Sequence, residues 1–180
     1  MKKLVLLLVV IIFSLTQLLA QQASFSKGDK VVNLGIGLGS IYYSEIGYTI
    51  FVPPLSASME VGVVDNLLEK GVIGVGGYMG FLAYKHSSQY KTTNFVIGAR
   101  GNFHYPLANK LDTYAGLGIG YDIVSYSDNN GYIGSHAGSA SRLLPALFIG
   151  GRYYFTDNFA VMGEFGYLIS YLTLGVALKF

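Results

Sequence analysis

The chain has 180 residues, enough for one domain by the usual length prior. It has no cysteine, which excludes disulfide frameworks, thiolate metal sites and a lipidated N-terminal cysteine. Charged residues make up only 12% and the mean hydropathy is +0.45, too apolar for an ordinary soluble surface. Beyond the first twenty residues, however, no run reaches the roughly 18 consecutive apolar residues of a membrane helix.

Residues 1–20 read as a secretory signal peptide: Lys2 and Lys3 form a basic start, residues 4–13 an unbroken apolar run, and Ala20 offers a small residue for cleavage. Losing Lys2 and Lys3 leaves the remaining formal charges balanced, so the apparent basicity argues for no nucleic-acid partner. Residues 21–30 read as a polar periplasmic lead-in, and residues 31–180 as one barrel domain.

From Val31 onward the apolar period is two rather than 3.6. Eight strands are predicted, at about 31–40, 54–63, 72–84, 93–105, 112–124, 142–155, 159–167 and 171–180. Each has one apolar face, such as Leu34, Ile36 and Leu38 in the first and Leu172, Leu174, Val176, Leu178 and Phe180 in the last. The opposite faces are mostly glycine with isolated charges, which suits a narrow lumen and not a solvated exterior. The expected fold is an all-β, eight-stranded, antiparallel up-and-down transmembrane barrel, closed because backbone groups in lipid have no water to bond.

The predicted connections alternate in length. Those at about 41–53, 85–92, 125–141 and 168–170 form one set, those at about 64–71, 106–111 and 156–158 the other. Longer loops outside and tight turns inside would leave both termini in the periplasm. Phe103, Tyr105, Tyr153, Phe155, Phe159 and Phe180 would form the periplasmic aromatic girdle, with Tyr121 and Tyr167 at the opposite rim.

Residues 150–180, with alternation ending in Phe180, resemble the last strands of small OmpA/OmpX/OmpW-like outer-membrane barrels, above all the barrel-domain proteins common in Bacteroidetes. The resemblance implies bacterial outer-membrane location, with lipid and lipopolysaccharide around the barrel. It also implies that Leu174, Val176, Leu178 and Phe180 act as the signal read by the barrel-assembly machinery. It carries over no catalytic residues.

The glycine alternations at 35–39 and 116–120 lie inside strands with no helix following, so they do not form phosphate loops. The inward charges are expected to pair in the lumen; Glu60, Arg100, Arg152 and Glu164 are the expected network, with Arg152 and Glu164 neighbours across a tight turn. Leu82, Tyr84, Val124, Leu144 and Phe148, joined by Val96, could plug the upper lumen or form an apolar pocket. His86 and His136, near Ser87, Ser88, Ser135, Ser139 and Asp128, are the loop groups that could support acyl chemistry. No cofactor or metal is expected. The favoured reading is a plugged barrel with a structural or surface-interaction role through its loops, its partner unnamed. The alternative is binding or passage of a small hydrophobic molecule, as OmpW-like barrels suggest. The third is a lipid A-modifying enzyme.

Overall fold

A computed structural model describes residues 24–40, 42, 48–86, 90–128, 133–134 and 141–180. The expected signal peptide lies outside the described residues, as do Ser87, Ser88, Ser135, His136 and Ser139. Among the described residues there is no helix long and apolar enough to cross a membrane.

The strands are β1 (Lys30–Leu38), β2 (Tyr48–Leu67), β3 (Gly71–His86), β4 (Tyr90–Ala108), β5 (Leu111–Asp128), the two-residue β6 (Ile133–Gly134), β7 (Arg142–Tyr154), β8 (Phe159–Tyr167) and β9 (Leu172–Lys179). Each barrel strand pairs antiparallel with its neighbours. β1 also pairs with β9, from Val31 opposite Lys179 to Leu38 opposite Leu172, and this closes an eight-stranded barrel. β6 only extends the upper end of β5.

The two faces sort as the period of two requires. Leu34, Ile36, Met79, Ile97, Ile119, Leu147, Ile149, Phe165, Leu174 and Leu178 are exposed on the outside. Asn33, Glu60, Arg100, Asn102, His104, Asp112, Asp122 and Arg152 are buried inside. A soluble protein would invert this distribution; a continuous exposed apolar belt around a polar interior is that of a barrel whose solvent is lipid. Neighbouring strands coil so closely that glycine is obligatory in places: a Cβ on Gly76 would run into the Met59 carbonyl oxygen of β2, and one on Gly175 into that of Leu34 on β1.

The strands on one side run further than the sequence suggests. β2 begins at Tyr48, six residues before the expected start, and passes through Pro53 and Pro54. Register shifts between Ile50 and Val52 and between Val52 and Leu55 mark bulges there, which is how a strand absorbs residues without an N–H. β3 and β4 stay paired up to His86 opposite Tyr90, and β5 reaches Asp128. Much of the expected outer loops at 41–53, 85–92 and 125–141 is therefore sheet. At the other end β2 continues to Leu67 and the turn closes over 68–70, with left-handed φ at Leu68 and Glu69.

Candidate functional site in the barrel lumen

From the turn end upward, the lumen is filled in four layers. The lowest is a stopper from the lead-in. Phe25, 2% exposed, enters from below and packs with Val31, Val72, Tyr154, Ala160 and Ala177. The lead-in is fastened by backbone hydrogen bonds: Gly28 N–H donates to the Gly62 carbonyl (2.9 Å), and Gly62 N–H to that of Asp29 (3.0 Å). Lys179 Nζ donates to the Ser24 carbonyl at 3.0 Å. Phe25 carries no signal in the sequence, because a single aromatic in a polar segment has no period to read.

The second layer centres on Arg152, 0% exposed. Its Nε donates to Asn33 Oδ1 (2.9 Å), Nη1 to Asp112 Oδ2 (2.9 Å) and Nη2 to Glu60 Oε1. The guanidinium lies over the Tyr114 ring, 4.8 Å from its centroid. His104 Nδ1 is 2.8 Å from Asp112 Oδ1, and its Nε2 faces Glu60 Oε2 at 3.3 Å, within ion-pair distance but off hydrogen-bond angle. Asn102 donates to Glu60 Oε2, and Asn33 Nδ2 to Ser58 Oγ at 2.9 Å. The Phe25 ring closes the layer from beneath, 4.2 Å from the His104 ring. The forked guanidinium suits this position because it can satisfy three acceptors on three strands at once.

The third layer is Arg100 with Glu164. Arg100 Nη2 lies 2.6 Å from Glu164 Oε2, which also accepts from the Tyr114 hydroxyl at 3.1 Å. Arg100 stacks over Phe148, 3.9 Å from its centroid. The fourth layer is apolar: Tyr78, Leu82, Val96, Leu144 and Ile169, with Tyr42, Tyr84 and Leu168 packed against them. Ile169, 1% exposed, belongs to the last outer connection and turns inward, held by Ser40 Oγ donating to its carbonyl at 2.6 Å. At this level Asn94 Nδ2 donates to both Asp122 carboxylate oxygens at 3.0 Å.

The expected network residues thus lie in the lumen in two groups. Arg152 and Glu164 do not pair as the sequence suggests. Glu164 stands opposite Gly150 and Arg152 opposite Met162, so the two are offset along the strands; Arg152 pairs with Asp112, its direct neighbour on β5, and across the barrel with Glu60, while Glu164 pairs across the barrel with Arg100. His104, Asp112, Asn33 and Asn102 are the members that sequence reasoning left out of the network. His104 shares the parity of Arg100, and Asp112, at the first position of the predicted fifth strand, shares that of Tyr114, so parity alone could have found both. Of the expected apolar pocket, Leu82, Tyr84 and Leu144 stand together, and Val124 is buried. Phe148 lies a layer lower with Tyr114 and Ala146. Ile169 and Leu168 occupy the space among them. Among the described residues, two voids of about 10 Å³ open between the layers, around Tyr78, Phe148, Glu164 and Leu168. His86 and Asp128 end their strands, and the other loop residues considered for acyl chemistry lie outside the described residues.

No protein-family model matches the chain, and no curated protein sequence matches it. Solved structures do. Outer-membrane protein AlkL, in lipid bilayers, superposes with a TM-score of 0.55 at 17% identity, over 89% of this chain and 94% of that one. Ail, the attachment invasion locus protein of Yersinia pestis, in complex with the heparin analogue sucrose octasulfate, gives 0.54 at 13% identity, over 86% and 99%. OprG of Pseudomonas aeruginosa gives 0.51 at 12%, over 88% and 99%. The chain has the fold of the small outer-membrane β-barrels. Within that fold, the described residues of the lumen pack side chain on side chain in layers, as an eight-stranded barrel permits.

Proposed function

We propose that the protein is an exported barrel of the bacterial outer membrane, both termini periplasmic, whose lumen is closed and whose working surface is its outer end. The observation that carries this reading is the continuous filling of the lumen, from Phe25 through Arg152 and Arg100 to Ile169. Breaking it would strand buried charges, which is costly. A barrel that conducts or hands ligands through its axis would need a path, and the layers built by the described residues stand in its way. The outer end, by contrast, carries more sheet than a bilayer requires. Ail caught with a sulfated sugar is a barrel of the same fold with an anionic ligand bound. The apolar-ligand reading would require Ile169 to leave its site among Leu82, Val96 and Leu144. This reading assigns no catalytic residue.

Planar-bilayer recording tests the proposal. The folded chain should show no steady conductance, and Arg100→Ala should not open a reproducible channel while Arg152 stays paired. Large, reproducible channels from the wild-type chain would overturn the closed-lumen reading and promote transport.

A further inference from the structure

Lys85 and Lys91 stand directly opposite each other in the β3–β4 ladder. Both have the parity of Phe81 and Phe95, so they face outward, above the apolar belt. Like charges opposite one another destabilise a sheet. Their remaining cross-strand neighbours are neutral: Thr49 opposite Lys85 and Ser127 opposite Lys91. Among the described residues no carboxylate forms an ion pair with either. Instead both ammonium groups gather over one ring, Phe51, at 5.0 Å and 4.2 Å from its centroid, and that ring is itself 53% exposed. Two cations held together with an exposed aromatic at the level where sheet leaves lipid fit an anionic headgroup.

The same outer wall continues downward into an apolar groove of about 390 Å³, lined by Ala57, Met59, Gly77, Met79 and Ile97. Gly77 forms its floor. A Cβ there would meet only the Gly98 carbonyl oxygen at 3.9 Å, so barrel packing does not demand a glycine at this point. Gly77 is eight residues below Lys85 on β3, about 26 Å along the strand and about 20 Å along the barrel axis once tilted. That is the scale of a lipid headgroup and its acyl chain.

We propose that the outer face of β2–β4 binds a phosphate-bearing, acylated lipid of the surrounding leaflet, its phosphate between Lys85 and Lys91 and an acyl chain in the groove over Gly77. The proposal rests on the orientation given above, in which this end of the barrel faces outward. It is independent of whether the lumen conducts.

The probe is diphosphoryl hexa-acyl lipid A, its retention by the full-length folded chain read by native mass spectrometry from detergent. Lys85→Gln with Lys91→Gln should weaken retention about tenfold or more. Gly77→Leu should weaken it by a smaller factor, and Lys27→Gln, an exposed charge at the opposite end, should leave it unchanged. Lys91→Glu supplies an internal counterion to Lys85, so it should raise thermal stability while abolishing retention; a purely structural role for the lysines would not move the two readouts in opposite directions. Undiminished retention by the double variant overturns the proposal, as does an equal loss in Lys27→Gln. Competition by inorganic phosphate as effective as by the lipid would reduce the site to a headgroup contact and refute the acyl part. A stable dimer of the wild-type chain, abolished by Gly77→Leu, would assign the groove to a second copy instead.

Discussion

Strands β2, β3, β4 and β5 carry 20, 16, 19 and 18 residues, whereas β1, β8 and β9 carry 9, 9 and 8, with β7 between at 13. A tilted nine-residue strand spans about 23 Å of barrel height, close to the roughly 25 Å apolar band of such barrels. A 20-residue strand reaches about 50 Å by the same geometry. The short wall therefore does what the bilayer asks and little more, and the tall wall stands well clear of it. The surplus sheet is not needed to cross lipid. It carries Phe51, Lys85 and Lys91, and its sequence turns hydroxyl-rich at Thr92, Thr93, Ser125 and Ser127. The lumen ties the two walls together: Arg152 of β7 reaches Glu60 and Asp112 on β2 and β5, and Glu164 of β8 reaches Arg100 on β4.

If that tie matters most, the largest effect should come from cutting it. Arg152→Met leaves Glu60 and Asp112 facing each other without their cation, and should cost on the order of 3–5 kcal/mol in urea unfolding from detergent or lipid. Adding Glu60→Gln and Asp112→Asn to the same chain should recover part of the loss. No recovery would mean that Arg152 acts through packing on Tyr114 and not through charge.

The next effect should mark where lipid ends on the tall wall. Ile97→Arg, in the belt, should cost on the order of 2–4 kcal/mol, whereas Ser125→Arg, outward on the extension of β5, should stay within about 1 kcal/mol. Equal costs would put the whole tall wall in the bilayer and end the contrast between the two sides. The smallest effect is between β1 and β2, where Asn33 stands opposite Ser58. Ser58→Ala removes the acceptor of Asn33, which itself accepts from Arg152, and should cost about 0.5–1.5 kcal/mol by the same unfolding measurement. A loss comparable to that of Arg152→Met would make Asn33 and Ser58 the keystone of the layer.

The parity of each strand was legible because the two faces meet opposite solvents: Leu174, Val176 and Leu178 could not share a face with Lys179. Height was less legible. Pro53 reads as part of a connection because a bulge that tolerates it leaves no trace in composition, and Lys85, Lys91 and Ser127 read as loop because polar sheet above a membrane has no apolar period. Partners inside the lumen were hidden for a different reason. Which residues meet across a barrel depends on strand stagger, which adjacent turns do not reveal. Glu164 was therefore assigned to its sequence neighbour Arg152, when the chain delivers it to Arg100. Ile169 was invisible because three loop residues carry no alternation, and only Ser40 fixing its carbonyl shows why it turns inward.

The reach of Arg152 also sets an order of events in folding. Its acceptors on Asn33, Glu60 and Asp112 are 119, 92 and 40 residues away in the chain. Each hairpin can zip locally, but Asn33 arrives only when β1 meets β9, after the full cost of closing the ring has been met. The guanidinium is thus a latch thrown last. Contacts absent from the transition state govern escape from the folded form, so weakening this one should shorten the lifetime of the closed ring without slowing the zipping that precedes it.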